Sequence, residues 1–338
     1  MFPRNRPVGC TIVIGLAILL LPSLTLSGLE LKIASVAPEN SPYGKALTQL
    51  AADWQRISHG TVRVQIYHNG IVGDQSDILR KIRIGQLQGG IFTNAGVADV
   101  VRESISISVP FLVRSDAEFR AAMKDLRPVL ENRFNAAGFK LVAWTQAGWI
   151  YFFSRTPVQS PADMKLLRLG VPAGEADLTN TFNALGFRSL PLDTTEVISA
   201  LNSGLADAVL ASPLIAAGYQ WFGVARNMLD LRIAPAAGCV LISDRAWSRI
   251  PEEYREPFLE AARATEAGLE AELKDLDSRA IAAMSSYGLK TVSPSTADRA
   301  KWQAEFTHNR DAIIDSAFDR KSVSMIESAL EKIRAGRQ

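Results

Sequence analysis

The hydrophobic positions of the first hundred residues follow two periods, one typical of strands and one typical of helices. Residues 31–35 are predicted to be a first strand, and the alternation of apolar and polar residues over 62–66 predicts a second. Apolar residues recur at helical spacing over 46–57, and a second helical pattern over 78–82 leads to a strand near Ile91. This order of strand, helix, strand, helix and strand predicts an α/β lobe with a largely parallel sheet.

The second half of the chain continues the alternation and adds one unusually long helical pattern. An aromatic-dense strand over 144–153 is predicted to carry the chain from one lobe to the other. A helix over 197–205 and a short apolar strand over 208–211 follow it. The longest helical pattern covers 251–287 and would span about 55 Å, which exceeds one small lobe. We therefore predict a helix that bridges two lobes; the alternative is a coiled-coil partner helix, which the short repeat disfavours.

The N-terminus has the layout of a secretory signal peptide. Two arginines precede an apolar run over 11–21, and small residues follow near position 28. Residues 1–28 are therefore predicted to export the protein and to be removed. The alternative is a retained membrane anchor, which Pro22 and Ser23 disfavour because a span needs about 20 strongly apolar residues.

The charge balance and the cysteine content exclude some classes of protein. The 338-residue chain carries 37 basic and 35 acidic residues, and removal of residues 1–28 would take two arginines and no acid, leaving a formally neutral chain. Nucleic-acid-binding proteins concentrate basic residues in patches, so this balance argues against nucleic acid as a partner. Beyond residue 28 the one cysteine is Cys239, which lies in an apolar run and is predicted to be buried without a disulfide partner.

No segment carries a motif for catalysis or metal binding. The patterns HExxH, CxxC and GxSxG are absent, and the three histidines are scattered along the chain. The glycine pairs do not make a phosphate-binding loop. The sequence therefore predicts that the protein is not an enzyme and that it needs neither a metal nor another cofactor.

Several segments, in a shared order and spacing, resemble one protein family. The run from residue 154 reads SRTPVQSPADMKLLRLGVP, and ALGFRSLPLDTTEVISALNSGLADAVLASP follows it from residue 184. Three further matches are SHGTVRVQIYHNGIVGDQSDILRKIRIGQLQGG, the tetrapeptide over 109–112 and the segment over 251–262. Together they resemble the periplasmic solute-binding proteins of the tripartite ATP-independent periplasmic (TRAP) transporters, the DctP-like family.

This resemblance implies an α/β, two-lobe periplasmic-binding-protein fold with mixed sheets, hinge strands and a long lobe-bridging helix. Lobe I is expected over 29–150 plus about 239–255, and lobe II over 151–238 plus about 285–338, with the bridging helix over 251–287. The resemblance also implies a periplasmic receptor that closes around a ligand between its lobes and delivers it to TRAP membrane subunits.

The chain departs from the family at three positions to which the resemblance assigns ligand contacts. The family's second-lobe arginine, which grips a carboxylate, aligns with Gly170, and a hinge-strand arginine aligns with Ile150. The family's ligand-binding asparagine aligns with Ala211 or Ser212, beside Leu210. The sequence therefore predicts a cleft that has lost its positively charged grip.

Five other residues are candidates for the cleft. Arg168 lies two positions before the glycine that replaces the arginine, so it either substitutes for that arginine or serves the surface. Trp149 flanks the hinge-strand position and would need a local kink to line the pocket. Phe92 and Asn94 follow the strand where the family's first lobe contacts ligand, and Trp221 belongs to an aromatic cluster that an apolar cleft would recruit.

The loss of cationic partners selects a class of ligand. Removal of one partner from a buried charge pair costs about 2–5 kcal/mol, so a small dicarboxylate should bind poorly. Burial of about 300 Å² of hydrocarbon contributes roughly 7 kcal/mol without any charged partner. We therefore predict a small, apolar or weakly polar organic ligand.

Two alternatives remain open at this point. The first is a receptor for organic acids in which Arg168 replaces the missing arginine. The second is a periplasmic scaffold or sensor that docks a partner protein, because some family members with apolar clefts resemble partners of a periplasmic helical-repeat protein.

Overall fold

The computed structural model describes residues 28–173 and 176–336, together with their side chains except those at 176–178, 273 and 274. Residues 1–27, and with them nearly all of the predicted signal peptide, lie outside the described residues. Within the described part of the chain, no helix combines the length and the apolar character that crossing a membrane would require.

The described chain alternates strands and helices as the hydrophobic pattern predicts. The strands are β1 (Leu29–Ser35), β2 (Val62–Tyr67), β3 (Gly89–Thr93), β4 (Phe139–Ser154), β5 (Arg168–Pro172), β6 (Arg188–Leu192), β7 (Ala208–Ala211), β8 (Asn227–Leu229), β9 (Ala234–Ser243) and β10 (Lys290–Val292). The α-helices are α1 (Pro42–Ile57), α2 (Gln75–Arg83), α3 (Asp116–Ala136), α4 (Pro161–Lys165), α5 (Ala176–Ala184), α6 (Val197–Ser203), α7 (Pro213–Gly218), α8 (Asp244–Trp247), α9 (Glu252–Ser286), α10 (Thr296–His308), α11 (Arg310–Ala317) and α12 (Arg320–Ala335).

The strands form two sheets that share β4. In the first sheet the order is β2-β1-β3-β9-β4, with β1 parallel to β2 and β3 and with β9 antiparallel to both of its neighbours. The second sheet continues as β4-β7-β5-β6, with β5 parallel to β6 and β7 and with β4 antiparallel to β7. The predicted α/β fold with two lobes and mixed sheets is confirmed.

The strand β4 passes from one sheet into the other. It pairs with β9 as far as Ile150, and from Tyr151 onward it pairs with β7. The register shifts between Gln146 and Trp149, where Gly148 adopts a φ of +93°, a conformation that residues with side chains rarely take. This bulge places a bend at the boundary between the two sheets.

The long helix α9 packs against two other helices and against the strand that both sheets share. Near its start, the Phe258 ring stacks on Trp54 of α1 with the ring centroids 4.4 Å apart. In its middle, Glu266 accepts a hydrogen bond of 2.8 Å from the Trp144 backbone N–H in β4. Further along, leucines of α9 form a small apolar cluster with Leu214 of α7. The helix therefore contacts α1, the shared strand β4 and α7 in turn.

Candidate ligand-binding cavity

A cavity of about 140 Å³ lies where the two sheets meet. The first sheet contributes the end of β3 and the beginning of β9, and the second sheet contributes one residue each of β5 and β7. The shared strand β4, the segment over 94–110, helix α5, the segment before β9 and the residue after α11 complete the wall. The large apolar side chains of the wall are Ile105, Ile150, Phe182, Leu210, Ile233 and Phe318.

Three polar side chains reach this wall, and each is already hydrogen-bonded within the protein. Asn94 is buried; its amide donates to Ser108 Oγ at 2.9 Å and accepts from the Ala237 backbone N–H at 3.2 Å. Ser108 Oγ donates in turn to a backbone carbonyl 2.7 Å away. Thr93 Oγ1 donates to Gln75 Oε1 at 3.2 Å. These groups hold the loop after β3 against β9 and leave the wall without a polar grip for a ligand.

No charged side chain lines this cavity among the residues that the structure describes. A second opening of about 410 Å³ lies between the loop that precedes α1 and helix α7, and its described lining is also free of charge. The Tyr219 hydroxyl at this opening donates to the Val36 carbonyl at 2.6 Å and so connects α7 to the end of β1. A carboxylate that entered either space would therefore meet no cationic side chain on the described walls.

Three residues predicted from the sequence come together at the cavity: Asn94, Ile150 and Leu210. Ile150 lies at the point where β4 leaves β9, and Leu210 lies in β7, the next strand of the second sheet. The hinge-strand position that the resemblance associates with an arginine therefore lines the cavity as an isoleucine. Direct contact of these three side chains with a ligand stays a prediction.

The predicted aromatic residues lie outside the lining. Phe92 is buried in the hydrophobic core beneath β3. Trp149 is also buried, and its indole N–H donates to Asp116 Oδ1 at 2.9 Å. Side chains alternate along a strand, which puts Trp149 on the opposite side of β4 from the cavity-lining residue that follows it. Trp221 is buried and stacks on Tyr219, with the ring centroids 5.6 Å apart.

The residues that replace the second-lobe arginine and the asparagine also lie outside the lining. Gly170 is buried, and a Cβ atom there would lie 2.6 Å from Leu192 Cδ1. The space that an arginine stem would need next to the backbone is therefore filled by a leucine. Ala211 is buried in β7, and Ser212 caps α7 by accepting a hydrogen bond from the Ile215 N–H at 3.3 Å.

Arg168 is not at the cavity and already has a carboxylate partner. Its Nε and one terminal nitrogen donate to the two oxygens of Asp207 at 2.7 and 2.9 Å. This hydrogen-bonded guanidinium holds the pKa of Asp207 below its usual value. The pair lies at the exposed beginning of β5, which gives Arg168 a structural partner outside the cavity.

Sequence reasoning missed several side chains of the wall, among them Phe182, Ile233 and Phe318. Pro110 carried a signal, since it lies in the tetrapeptide that matches the family. Phe318 follows α11 and reaches the cavity because α11 packs on α5, whose residue Phe182 also lines it. No local pattern marks such a contact, since it depends on the packing of elements that are far apart in the sequence.

Acidic side chains near the boundary between the sheets are present but dispersed. Asp277 of α9 accepts a hydrogen bond of 3.2 Å from the Trp149 backbone N–H, and burial raises its pKa to about 6. Partial burial, and next a hydrogen bond with Asp74, raises the pKa of Asp193. Across the described chain, no group of three or more His, Cys, Asp and Glu side chains is arranged to hold a metal ion.

Comparison with known proteins gives a consistent match over most of the chain. Residues 33–316 match DctP, described as bacterial extracellular solute-binding protein, family 7. A protein of Verminephrobacter eiseniae named "Solute-binding protein" is 23% identical over 300 residues, which cover 88% of this chain and 86% of that protein.

Solved structures of similar proteins share the fold. A TRAP periplasmic solute-binding protein from Desulfovibrio salexigens, with bound orotic acid, superimposes with a TM-score of 0.82 at 20% identity and covers 90% of this chain and 98% of its own. A second one, from Shewanella oneidensis with bound succinate, gives a TM-score of 0.83 at 18% identity and covers 89% of this chain and 99% of its own.

Proposed function

This chain belongs to the DctP family, family 7 of the bacterial extracellular solute-binding proteins, and on that premise we propose that it captures a neutral, largely apolar small molecule. The protein is an extracytoplasmic binding protein and not an enzyme. The proposed site is the cavity of about 140 Å³ where the two sheets meet. The fold supplies the enclosure, and the chemistry of the wall selects the ligand.

The observation that carries this proposal is the charge-free wall. Two relatives of the same fold hold orotic acid and succinate, both of which bear carboxylates. In this chain, an isoleucine lines the hinge position, and the polar side chains of the described wall are engaged with each other or with the backbone. An ion that leaves water without a partner retains a desolvation cost of several kcal/mol, so the wall favours a neutral ligand.

The size of the cavity limits the ligand further. For scale, an apolar cavity of about 150 Å³ accepts a benzene molecule. Burial of about 200 Å² of hydrocarbon contributes about 5 kcal/mol, which corresponds to submillimolar affinity before any polar contact is added. We therefore expect a ligand about the size of a single aromatic ring or a short branched chain, with at most weakly polar substituents.

The alternative of an organic-acid receptor that uses Arg168 has little support from the geometry. The guanidinium of Arg168 is occupied by Asp207 through two hydrogen bonds, and it lies outside the cavity lining. Recruitment of Arg168 by a ligand would leave the Asp207 carboxylate without this partner. A carboxylate ligand would therefore replace one ion pair by another with no gain in the number of pairs.

The proposal includes the delivery of the ligand to other proteins. We propose that the ligand-bound form docks with the membrane subunits of a TRAP transporter, which is the role that membership of the family supports. A periplasmic helical-repeat protein is a second proposed partner, suggested by the apolar character of the cavity. Affinity purification of ligand-loaded and ligand-free protein from its own host, with mass spectrometry of the captured proteins, separates the two partners.

The ligand itself can be identified from what the protein retains through purification. The full chain is purified from its own host without added ligands, and retained small molecules are extracted and analysed by mass spectrometry. We expect a neutral, apolar compound, and we expect Leu210→Asn to lose it because an amide would face the cavity. Leu205→Asn is the matched control, since Leu205 is exposed and does not belong to the lining. Recovery of a carboxylic acid as the sole ligand would overturn the proposal and leave the membership of the family intact.

A further inference from the structure

A third space, a cavity of about 230 Å³, lies at the end of the first sheet opposite to the ligand cavity. It opens where β3 and β4 begin and where β9 ends, whereas the ligand cavity lies at the other ends of β3 and β9. The two cavities share no lining residue. Along β3 alone they are separated by five residues, or about 16 Å.

Three arginines line this cavity: Arg83, Arg245 and Arg249. Arg83 is the last residue of α2, while Arg245 and Arg249 are four positions apart, a spacing that puts them on one side of the helical turn formed by α8 and the residues after it. All three side chains are exposed to solvent. We call this group the arginine pocket.

A glycine makes room for one of these guanidinium groups. Gly85 follows α2 with a φ of +80°, and a Cβ atom there would lie 2.5 Å from a terminal nitrogen of Arg245. A residue with a side chain at this position would displace the guanidinium and would also strain the backbone. The local sequence therefore permits Arg245 to lie over the end of α2.

The positive charge of the arginine pocket is not neutralised by the described residues. None of the three guanidinium groups has a hydrogen bond or ion pair there, no acidic side chain lines the pocket, and Asp244, next to Arg245, pairs with none of them. The helices α2 and α3 end at the pocket, and each helix C-terminus contributes about −0.5 charge. The three guanidinium groups of the lining outweigh these two partial charges.

Unpaired guanidinium groups around an open pocket match the chemistry of a phosphate group. A guanidinium presents parallel N–H donors that fit two oxygens of one phosphate, and phosphate carries up to two negative charges to balance the pocket. The pocket volume of about 230 Å³ is several times the roughly 30 Å³ that one water molecule occupies, so a group larger than water fits. We propose that the arginine pocket binds a phosphate group, either free in solution or carried by a phospholipid headgroup.

The position of the pocket is compatible with either source. The Lys32 backbone N–H in β1 donates to Oε1 of the pocket residue Gln88 at 2.9 Å, and the Lys32 carbonyl accepts from the Gln88 N–H at 2.8 Å. Strand β1 runs from this end toward the ligand cavity, so the described chain begins, at Gly28, on the side of the arginine pocket. A headgroup at this pocket would lie at the end of the first sheet away from the ligand cavity.

The test compares two variants of the full chain that lose the same charge. The first replaces the pocket arginines together, R83Q/R245Q/R249Q, and the control replaces exposed arginines elsewhere, R56Q/R263Q/R299Q. Titration with inorganic phosphate is followed by ³¹P NMR, and co-sedimentation uses phosphatidylglycerol vesicles beside phosphatidylcholine vesicles. Both variants keep the same N-terminal segment, so any binding of vesicles by that segment cancels in the comparison.

We expect the pocket variant to bind phosphate at least 30-fold or so more weakly than the control, since each charged hydrogen bond contributes roughly tenfold. A parallel loss of binding to phosphatidylglycerol vesicles, with phosphatidylcholine unaffected, assigns the phosphate to a headgroup. Loss of phosphate binding alone assigns it to a free ligand. Equal behaviour of the two variants in both arms overturns the proposal. None of these outcomes depends on the ligand of the other cavity.

Discussion

The two ends of strand β3 present opposite electrostatic environments within one lobe. At its far end, the wall of the ligand cavity contains no charged side chain among the described residues, while the pocket at its beginning contains three guanidinium groups that pair with no described residue. The overall charge of the chain, formally +2, indicates neither feature. What determines which molecule can bind is where each cation lies and whether a carboxylate already pairs with it, as the occupied Arg168 also illustrates.

The largest effect is expected from a substitution of Phe182 in the apolar wall of the ligand cavity. Its ring lines the cavity and packs against Phe187 and Phe306, with centroids 5.4 and 6.0 Å away. We expect Phe182→Ala to lower the free energy of unfolding by about 3–5 kcal/mol and to admit larger apolar ligands. Urea unfolding measures the stability, and Phe182→Leu is the control that keeps most of the apolar volume. If Phe182→Ala lost no more unfolding free energy than Phe182→Leu, the wall of the cavity would not be tightly packed around this ring.

A guanidinium placed in the ligand cavity would put a positive charge at both ends of strand β3. In Ile150→Arg, the new cation has no described carboxylate on the wall to pair with, so only a carboxylate ligand can neutralise it. Leaving one charge of a buried pair without its partner costs about 2–5 kcal/mol, so we expect benzoate to bind this variant more tightly than wild type, by roughly 30-fold or more. Calorimetry measures the affinity, with Ile150→Leu as the control. Unchanged benzoate binding would show that position 150 does not contact the ligand.

The buried Asp277 of α9 should make the stability of the protein depend on pH without affecting ligand binding. Burial raises the pKa of Asp277 from 3.8 to about 6, opposed by the Trp149 N–H and Arg232 and assisted by Asp116. The folded state therefore binds more protons than the unfolded state between pH 4 and 6, and stability falls as the pH rises through this window. We expect wild type to lose about 3 kcal/mol more than Asp277→Asn over that range.

Urea unfolding at several pH values measures this difference, and Asp275→Asn, which removes an exposed carboxylate two positions away, is the matched control. Binding of a neutral ligand should stay constant over the same range, because the described cavity wall has no titratable group. If the stability of Asp277→Asn and of wild type changed identically with pH, the buried carboxyl group would not be the cause of the pH dependence.

The smallest effect is expected at Arg168. Its guanidinium is exposed and paired with Asp207, and exposed ion pairs contribute little to stability. We expect Arg168→Ala to leave the affinity for the ligand unchanged in calorimetry. A clear loss of affinity, absent from the neighbouring surface variant Arg188→Ala, would instead favour the organic-acid receptor.

Much of the fold follows from periodic patterns in the sequence. Helical spacing over 251–287 corresponds to α9, and the alternation over 62–66 corresponds to β2, because one buried face imposes its period on the residues of an element. The strand at Ala208–Ala211 has the predicted bounds. The pattern does not reveal the bulge at Gly148, since the positive φ depends on the register between β4 and β9.

The site was only partly predictable for a related reason. Alignment with the family pointed to Ile150, which lines the cavity, and to Ala211 or Ser212, which do not, whereas their neighbour Leu210 does. It did not locate Phe318, and it did not predict that Asp116 would bind the Trp149 indole, since both depend on packing between distant segments. The arginine pocket was invisible in the sequence, where its members lie in separate segments and no run of basic residues marks them.

The most direct test of the central claim compares two ligands of nearly equal shape that differ in charge. Benzyl alcohol and benzoate are titrated into the wild-type chain by calorimetry under identical conditions. The charge-free wall predicts that benzyl alcohol binds at least 30-fold or so more tightly, because the carboxylate would lose water without gaining a partner. Equal or tighter binding of benzoate would contradict it.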